Sequence, residues 1–192
     1  MPSPALDSEH GEVGKVYLTR AEIAARVTGL GAEISRDYLG LDPILIAPLK
    51  SSVVFLADLT RRLSIPHTLD VIELAPYTGG SDGTARLVKD VDVPLAGRHV
   101  LVVEDVVDTG LTLHFLWRTL TLRDPATLAA VTLLDRPYRR LAEELPLRYV
   151  GFTVPDELFA GYGLGLDERW RALPDLHLVR APELPRAAAT AA

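Results

Sequence analysis

The residues with the most chemical content lie in one run, VLVVEDVVDTGLTL, at positions 100–113. Its first four residues are branched and apolar, as a strand buried on both faces requires. The strand's carboxyl end then delivers two adjacent acids, Glu104 and Asp105, followed by Asp108, Thr109, Gly110 and Thr112 as a helix begins. In an open parallel sheet, ligands bind outside the carboxyl ends of the strands, where such loops meet helix N-termini. Successive backbone N–H groups from Asp108 to Thr112, with Gly110 allowing close approach and two hydroxyls adding donors, make an anion cradle suited to a phosphate. Glu104 and Asp105 would repel that phosphate, so they must face something else. Sugar hydroxyls, which donate to carboxylates, and Mg2+, which takes oxygen ligands, both fit. A solvated turn before an ordinary helix is the plain alternative, but packing alone does not explain two branched residues between an acid pair and Asp-Thr-Gly. A nucleotide P-loop is disfavoured, because no Gly-Lys-Ser/Thr triplet occurs.

The elements that must position this run read as a single α/β domain. Thr19-Arg20-Ala21-Glu22 has the capping-box spacing, and Ile23, Val27, Leu30 and Ile34 follow at helical intervals. Gly29 and Gly31 weaken the middle of that helix. Short branched runs at 44–49, 68–74, 98–104, 129–134, 148–153 and 176–179 read as strands, and 53–63 and 111–122 as helices. Strands alternating with helices imply a central parallel sheet with right-handed crossovers. Residues 75–84 are almost all turn formers and read as a mobile loop. The expected domain spans 16–181, between a flexible leader (1–15) and a disordered tail (182–192).

Composition removes several chemistries. With no cysteine there is no disulfide framework, Cys-ligated zinc, iron–sulfur cluster or thiol nucleophile. A net charge of −6 offers no basic footprint for nucleic acid or an anionic membrane surface. The acidic N-terminus and the lack of any apolar run near ~18 residues make the cytoplasm the expected location.

The segment VLVVEDVVDTG resembles the signature of type I phosphoribosyltransferases, which bind phosphoribosyl pyrophosphate (PRPP), and in particular the hypoxanthine-guanine branch. Other stretches resemble that branch in the same order, from about residue 16 to 180. Leu49-Lys50 stands where the family has Leu-Lys-Gly-Gly, a pyrophosphate loop that often contains a non-proline cis peptide. Tyr77 holds the place of the flexible loop's tyrosine. YVGFTVPDELFAGYGL (149–164) resembles the segment around the purine base, and Arg171 aligns with an arginine that contacts pyrophosphate.

The resemblance implies a central parallel sheet flanked by helices, with a small hood over the base site. It implies that PRPP is held by Leu49, Lys50, Ser51, Glu104, Asp105, Val107, Asp108, Thr109, Gly110, Leu111, Thr112 and Arg171, and the base by Val106, Arg136, Leu158 and Phe159. Glu104 and Asp105 would hold ribose hydroxyls and Mg2+. Asp108 would accept a proton from the purine, Lys50 would stabilise the departing pyrophosphate, and Tyr77 would close over the site. A homodimer or homotetramer is the implied assembly.

Five departures from the family pattern concern the base and the leaving group. Ser51-Ser52 replaces the two glycines, and Pro76 replaces the serine before Tyr77, removing a hydroxyl and an amide donor. Arg136 stands where the family has a lysine that donates to the 6-oxo group, and an arginine fork is not equivalent to an ammonium. Gly165 replaces an acid near pyrophosphate, with Asp167 two residues later. Leu158 replaces the stacking aromatic, with Phe159 beside it as a ring that a one-residue shift would bring in. The alternatives are therefore a specialised acceptor such as a 7-deazapurine, or a PRPP- or nucleotide-sensing regulator without turnover. The five histidines, Trp117 and Trp170 read as surface or packing residues, and Arg61-Arg62 and Arg139-Arg140 as solvated faces; for Tyr138, beside Arg136, bordering the base pocket is the minority reading.

Overall fold

The computed structural model describes residues 12–75, 86–166 and 168–180. Pro76, Tyr77 and the rest of the expected mobile loop, Asp167, the first eleven residues and the expected tail lie outside the described residues. In chain order the elements are β1 (Glu12–Leu18), α1 (Arg20–Asp37), β2 (Ile44–Pro48), α2 (Val53–Thr60), β3 (Thr68–Leu74), β4 (Leu87–Lys89), β5 (His99–Val107), α3 (Leu111–Thr121), β6 (Thr127–Asp135), β7 (Leu147–Thr153), β8 (Leu158–Ala160) and β9 (Leu176–Arg180).

Local chemistry explains the first helix. Thr19 and Glu22 close a reciprocal capping box, the Thr19 N–H donating to Glu22 Oε2 at 2.8 Å and the Glu22 N–H to Thr19 Oγ1 at 3.3 Å. Ile23, Val27, Leu30 and Ile34 form its buried stripe. The helix runs unbroken through both glycines, and Gly31 has a packing reason. A Cβ there would lie 2.6 Å from Arg62 Cβ and 2.8 Å from its carbonyl oxygen, so only glycine lets the end of α2 approach.

The central sheet has the order β4-β3-β2-β5-β6-β7, parallel throughout except for β4, which pairs antiparallel with β3 at the edge. Period-two alternation splits its apolar residues between two cores. Leu45, Leu101 and Val103 pack with α1 and α2, whereas Ile46 and Val102 pack with Leu113 and Leu116 of α3. Among the described residues, no helix is long and apolar enough to cross a membrane.

Two strand ends depart from expectation. β1 starts at Glu12, so 12–15 belong to a strand rather than to the leader. Its polar sequence is held by antiparallel pairing with β9, and β9 pairs with β8, making a separate three-stranded hood. Finally, β5 continues through Val107, three residues beyond the expected end, because β6 runs beside it as far as the pair Val107 and Asp135.

Candidate active site

Parallel pairing brings the carboxyl ends of β2, β5, β6 and β7 to one edge, and the functional side chains emerge there. The register sets Val107 beside Asp135 and Asp135 beside Thr153. Two further backbone bonds extend this row past the strands: Arg136 N–H to Val107 O and Val154 N–H to Asp135 O, both 2.9 Å. Asp108, Arg136 and the turn carrying Asp156 therefore become neighbours.

The run at the end of β5 and the start of α3 lines a small cavity. Glu104, Val106, Val107, Asp108, Thr109, Gly110, Thr112 and Leu113 line a cavity of about 210 Å³. That is below the ~300–1,000 Å³ of drug-sized pockets and suits the anionic end of a ligand rather than a whole nucleotide. Gly110 caps α3 at φ +80°, a left-handed conformation that favours glycine. The loop is braced from outside. Leu141 and Ala142 N–H both donate to Thr109 O, at 2.9 and 3.2 Å, and a Cβ on Gly110 would meet Leu145 Cδ1 at 2.8 Å.

Glu104 and Asp105, expected together as ribose and metal ligands, lie inside β5 and are buried. As successive strand residues they face opposite sides of the sheet. Glu104 points into the cradle and its Oε1 has no hydrogen-bond partner; Asp105 Oδ1 accepts from Ser52 Oγ at 3.0 Å. Burial, reinforced by the neighbouring Asp105 charge, pushes the Glu104 carboxyl up to about 8. Asp105 is also raised by burial, against the opposing hydrogen bonds of Ser51 and Ser52. The two acids thus do not form one side-by-side ligand pair. Among the described residues, no group of three or more His, Asp or Glu side chains could hold a metal by itself. Mg2+ commonly takes only one or two carboxylates and completes its shell with substrate phosphates and water. The partnerless Glu104 oxygen fits such a substrate-borne ion.

Across the edge, the Leu49–Lys50 peptide is cis. The loop is seated by the Gly161–Leu164 turn, where a Cβ on Gly163 would come 2.4 Å from Ser51 O. Arg171 is tied to the same turn: its Nη1 donates to Gly163 O, and Gly163 N–H donates to Arg171 O, both 2.9 Å. Glu168 then bridges the two cations, with Oε2 3.1 Å from Lys50 Nζ and Oε1 3.1 Å from Arg171 Nη2. Lys50, and next Arg171, hold its carboxyl below the ordinary range. Gly165 leaves no room for the family's acid, since a Cβ would lie 2.5 Å from Arg169 O.

On the base side, the Arg136 guanidinium is buried and paired with Asp156, while Asp108 stands 3.6 Å away. Leu158 is partly exposed on β8. Phe159, offered by sequence as the replacement ring, packs instead on Tyr17, with centroids 5.0 Å apart in the hood core. The hood pairing commits that ring to packing. Arg139 and Arg140 are not merely solvated either: they pair with Asp156 and Asp135. Sequence reasoning missed Asp156, Glu168 and Ser52, whose importance lies in partners 20, 118 and 53 residues away. No local spacing signals such pairs.

A doubly wound sheet with a glycine-capped cradle after a central strand, an acid inside it and a separate hood is an arrangement shared with nucleotide-forming phosphoribosyltransferases. The family described as the phosphoribosyl transferase domain matches residues 15–165. The chain is 40% identical to the hypoxanthine phosphoribosyltransferase of Salmonella typhimurium over 164 residues, covering 83% of this chain and 92% of that one. It is 39% identical to the hypoxanthine-guanine phosphoribosyltransferase of Mycobacterium bovis, covering 90% and 89%. A crystal structure of a hypoxanthine-guanine phosphoribosyltransferase from Bacillus anthracis superposes with a TM-score of 0.82 at 38% identity, over 88% of this chain and 99% of that one. The chain belongs to the hypoxanthine-guanine phosphoribosyltransferase family of type I phosphoribosyltransferases.

Proposed function

We propose that the chain transfers the 5-phosphoribosyl group of PRPP to a 6-oxopurine, hypoxanthine or guanine, giving the nucleoside 5-monophosphate and pyrophosphate. The observation that carries this reading is the braced cradle with Asp108 on its rim beside the buried Arg136. The amides of 108–112 grip the 5-phosphate, and Glu104 takes a ribose hydroxyl with its free oxygen. As the bond from C1 to pyrophosphate breaks and the bond to N9 forms, positive charge develops on the sugar. Asp108 accepts the N7 proton, a role that needs hydrogen-bond reach. Arg136 donates to the 6-oxo group. Lys50 and Arg171 stabilise the departing anion electrostatically. Mg2+, when bound with PRPP, supplies further neutralisation of the pyrophosphate. The family resemblance gives Tyr77, which lies outside the described residues, the role of excluding water from the site. The reaction is expected in the cytoplasm, in a homodimer or homotetramer.

Incubation with Mg2+, PRPP and hypoxanthine, guanine, xanthine, adenine or deazapurines, followed by pyrophosphate release, tests the reading. Release with hypoxanthine or guanine is expected. Release only with a deazapurine would assign a specialised acceptor, and PRPP binding without release with any base would make the protein a sensor.

A further inference from the structure

The Arg136 guanidinium stands between two carboxylates, ion-paired with both but hydrogen-bonded to only one. Its Nη2 donates to Asp156 Oδ1 at 2.6 Å, whereas its Nη1 lies 3.6 Å from Asp108 Oδ2, beyond hydrogen-bond range. The same Asp156 oxygen accepts from Arg139 Nε at 2.5 Å. Two polar atoms in this group are buried without a partner: Asp108 Oδ1, an acceptor, and Arg136 Nε, a donor. Unsatisfied buried polar groups are costly, so something must prevent the obvious remedy, collapse of Arg136 onto Asp108.

The backbone supplies the means. Asp156 sits on the turn after β7, fixed by Val154 N–H to Asp135 O and Glu157 N–H to Pro155 O, both 2.9 Å. Arg139 holds it from the other side. Its carboxylate is therefore anchored independently of Arg136, and a charge-assisted bond to it competes with the bond Arg136 would otherwise make to Asp108.

Resting on the purine reading above, we propose that Asp156 is a positioning residue for base selection: it holds the Arg136 guanidinium off Asp108, keeping Asp108 free to accept from the base and Arg136 aimed at the 6-oxo group. A lysine at 136 would have one compact donor head for both tasks. The arginine fork engages Asp156 with one nitrogen and leaves others for the ligand. Without the Asp156 charge, Arg136 closes onto Asp108, and a 6-oxopurine loses its donor and its acceptor together.

The test is a double-mutant cycle of Asp156→Asn with Arg136→Met, with Asp156→Glu as the conservative variant. Steady-state kinetics at saturating PRPP would use hypoxanthine and purine, which lacks the 6-oxo group; calorimetry would give PRPP affinity. Asp156→Asn should lower kcat/KM for hypoxanthine by about tenfold or more, mainly through KM, and narrow the preference for hypoxanthine over purine, with PRPP affinity within about twofold. Asp156→Glu should recover part of the loss. In the Arg136→Met background, Asp156→Asn should have almost no further effect, because no guanidinium remains to be held. An equal loss with or without Arg136, or a parallel fall in PRPP affinity, would show Asp156 to be merely structural and overturn the inference. Wild-type turnover of hypoxanthine with unchanged Asp156→Asn kinetics overturns this inference alone. A wild-type protein that accepts no 6-oxopurine overturns the purine reading and this inference with it.

Discussion

The two sides of the site hold their charges in different ways. In the cradle after β5, the shape is set by backbone: a glycine at φ +80° opens α3, and Thr109 O is taken by two external N–H donors. On the side of the cis peptide, the cations Lys50 and Arg171 are side chains that pair with Glu168. Backbone groups cannot be neutralised by a neighbour's rotamer change, and side chains can. The chain's departures from its family fall on the Lys50 and Arg171 side and around the base, and the cradle keeps the family pattern.

Asp108→Asn should break this contrast most severely. It leaves the cradle's amides untouched and removes the proton acceptor, so turnover should fall by about 10²-fold or more with PRPP affinity nearly unchanged. Stopped-flow or coupled pyrophosphate assays alongside calorimetry would check both halves; equal turnover would remove Asp108 from the base role.

Gly110→Ala should do the reverse. A side chain at this left-handed φ costs ~1–2 kcal/mol and here also meets Leu145. Calorimetry should show PRPP binding weakened by about tenfold or more, together with a melting temperature lower by several degrees.

Glu104→Gln probes the cradle floor through pH. The folded Glu104 keeps its proton to about 8, whereas the unfolded chain loses it near the ordinary 4.5. The native state therefore binds the extra proton between those values, and wild-type stability falls as pH rises through that window and levels off outside it. The neutral variant lacks this slope. Its stability advantage should be absent below pH 4.5 and grow toward pH 8, reaching ~5 kcal/mol at most, read as a widening gap in melting temperature. Parallel melting curves across that range would count against a protonated Glu104.

The smallest effect is expected at Glu168. If the carboxylate competes with pyrophosphate for Lys50 and Arg171, Glu168→Gln should tighten pyrophosphate binding, but by no more than about fivefold, because exposed ion pairs are worth ~0–1 kcal/mol. Weaker binding in the variant would assign Glu168 to the ligand rather than against it.

The positions of these groups were unevenly legible. The run 100–113, the capping box at Thr19 and the central strands follow from patterns within a few residues, and the structure reproduces them with shifts at the ends. β4 and β8, three residues each, lie below the length at which alternation is readable, and β1 is held by a partner more than 150 residues away. Phe159 shows the limit within the site: its aromatic character suggested stacking on a base, but the hood's pairing turned the ring onto Tyr17.

By itself, the amino-acid order determined the strand, the glycine turn and the helix start within 100–113, because periodicity, capping and a left-handed glycine are short-range properties of the chain. Only the tertiary structure decided that Glu104 and Asp105 part to opposite faces, that Arg136 answers to Asp156 rather than Asp108, and that Glu168 spans Lys50 and Arg171. Charge pairing and burial depend on distances between residues far apart in sequence, and those distances exist only once the sheet register is set.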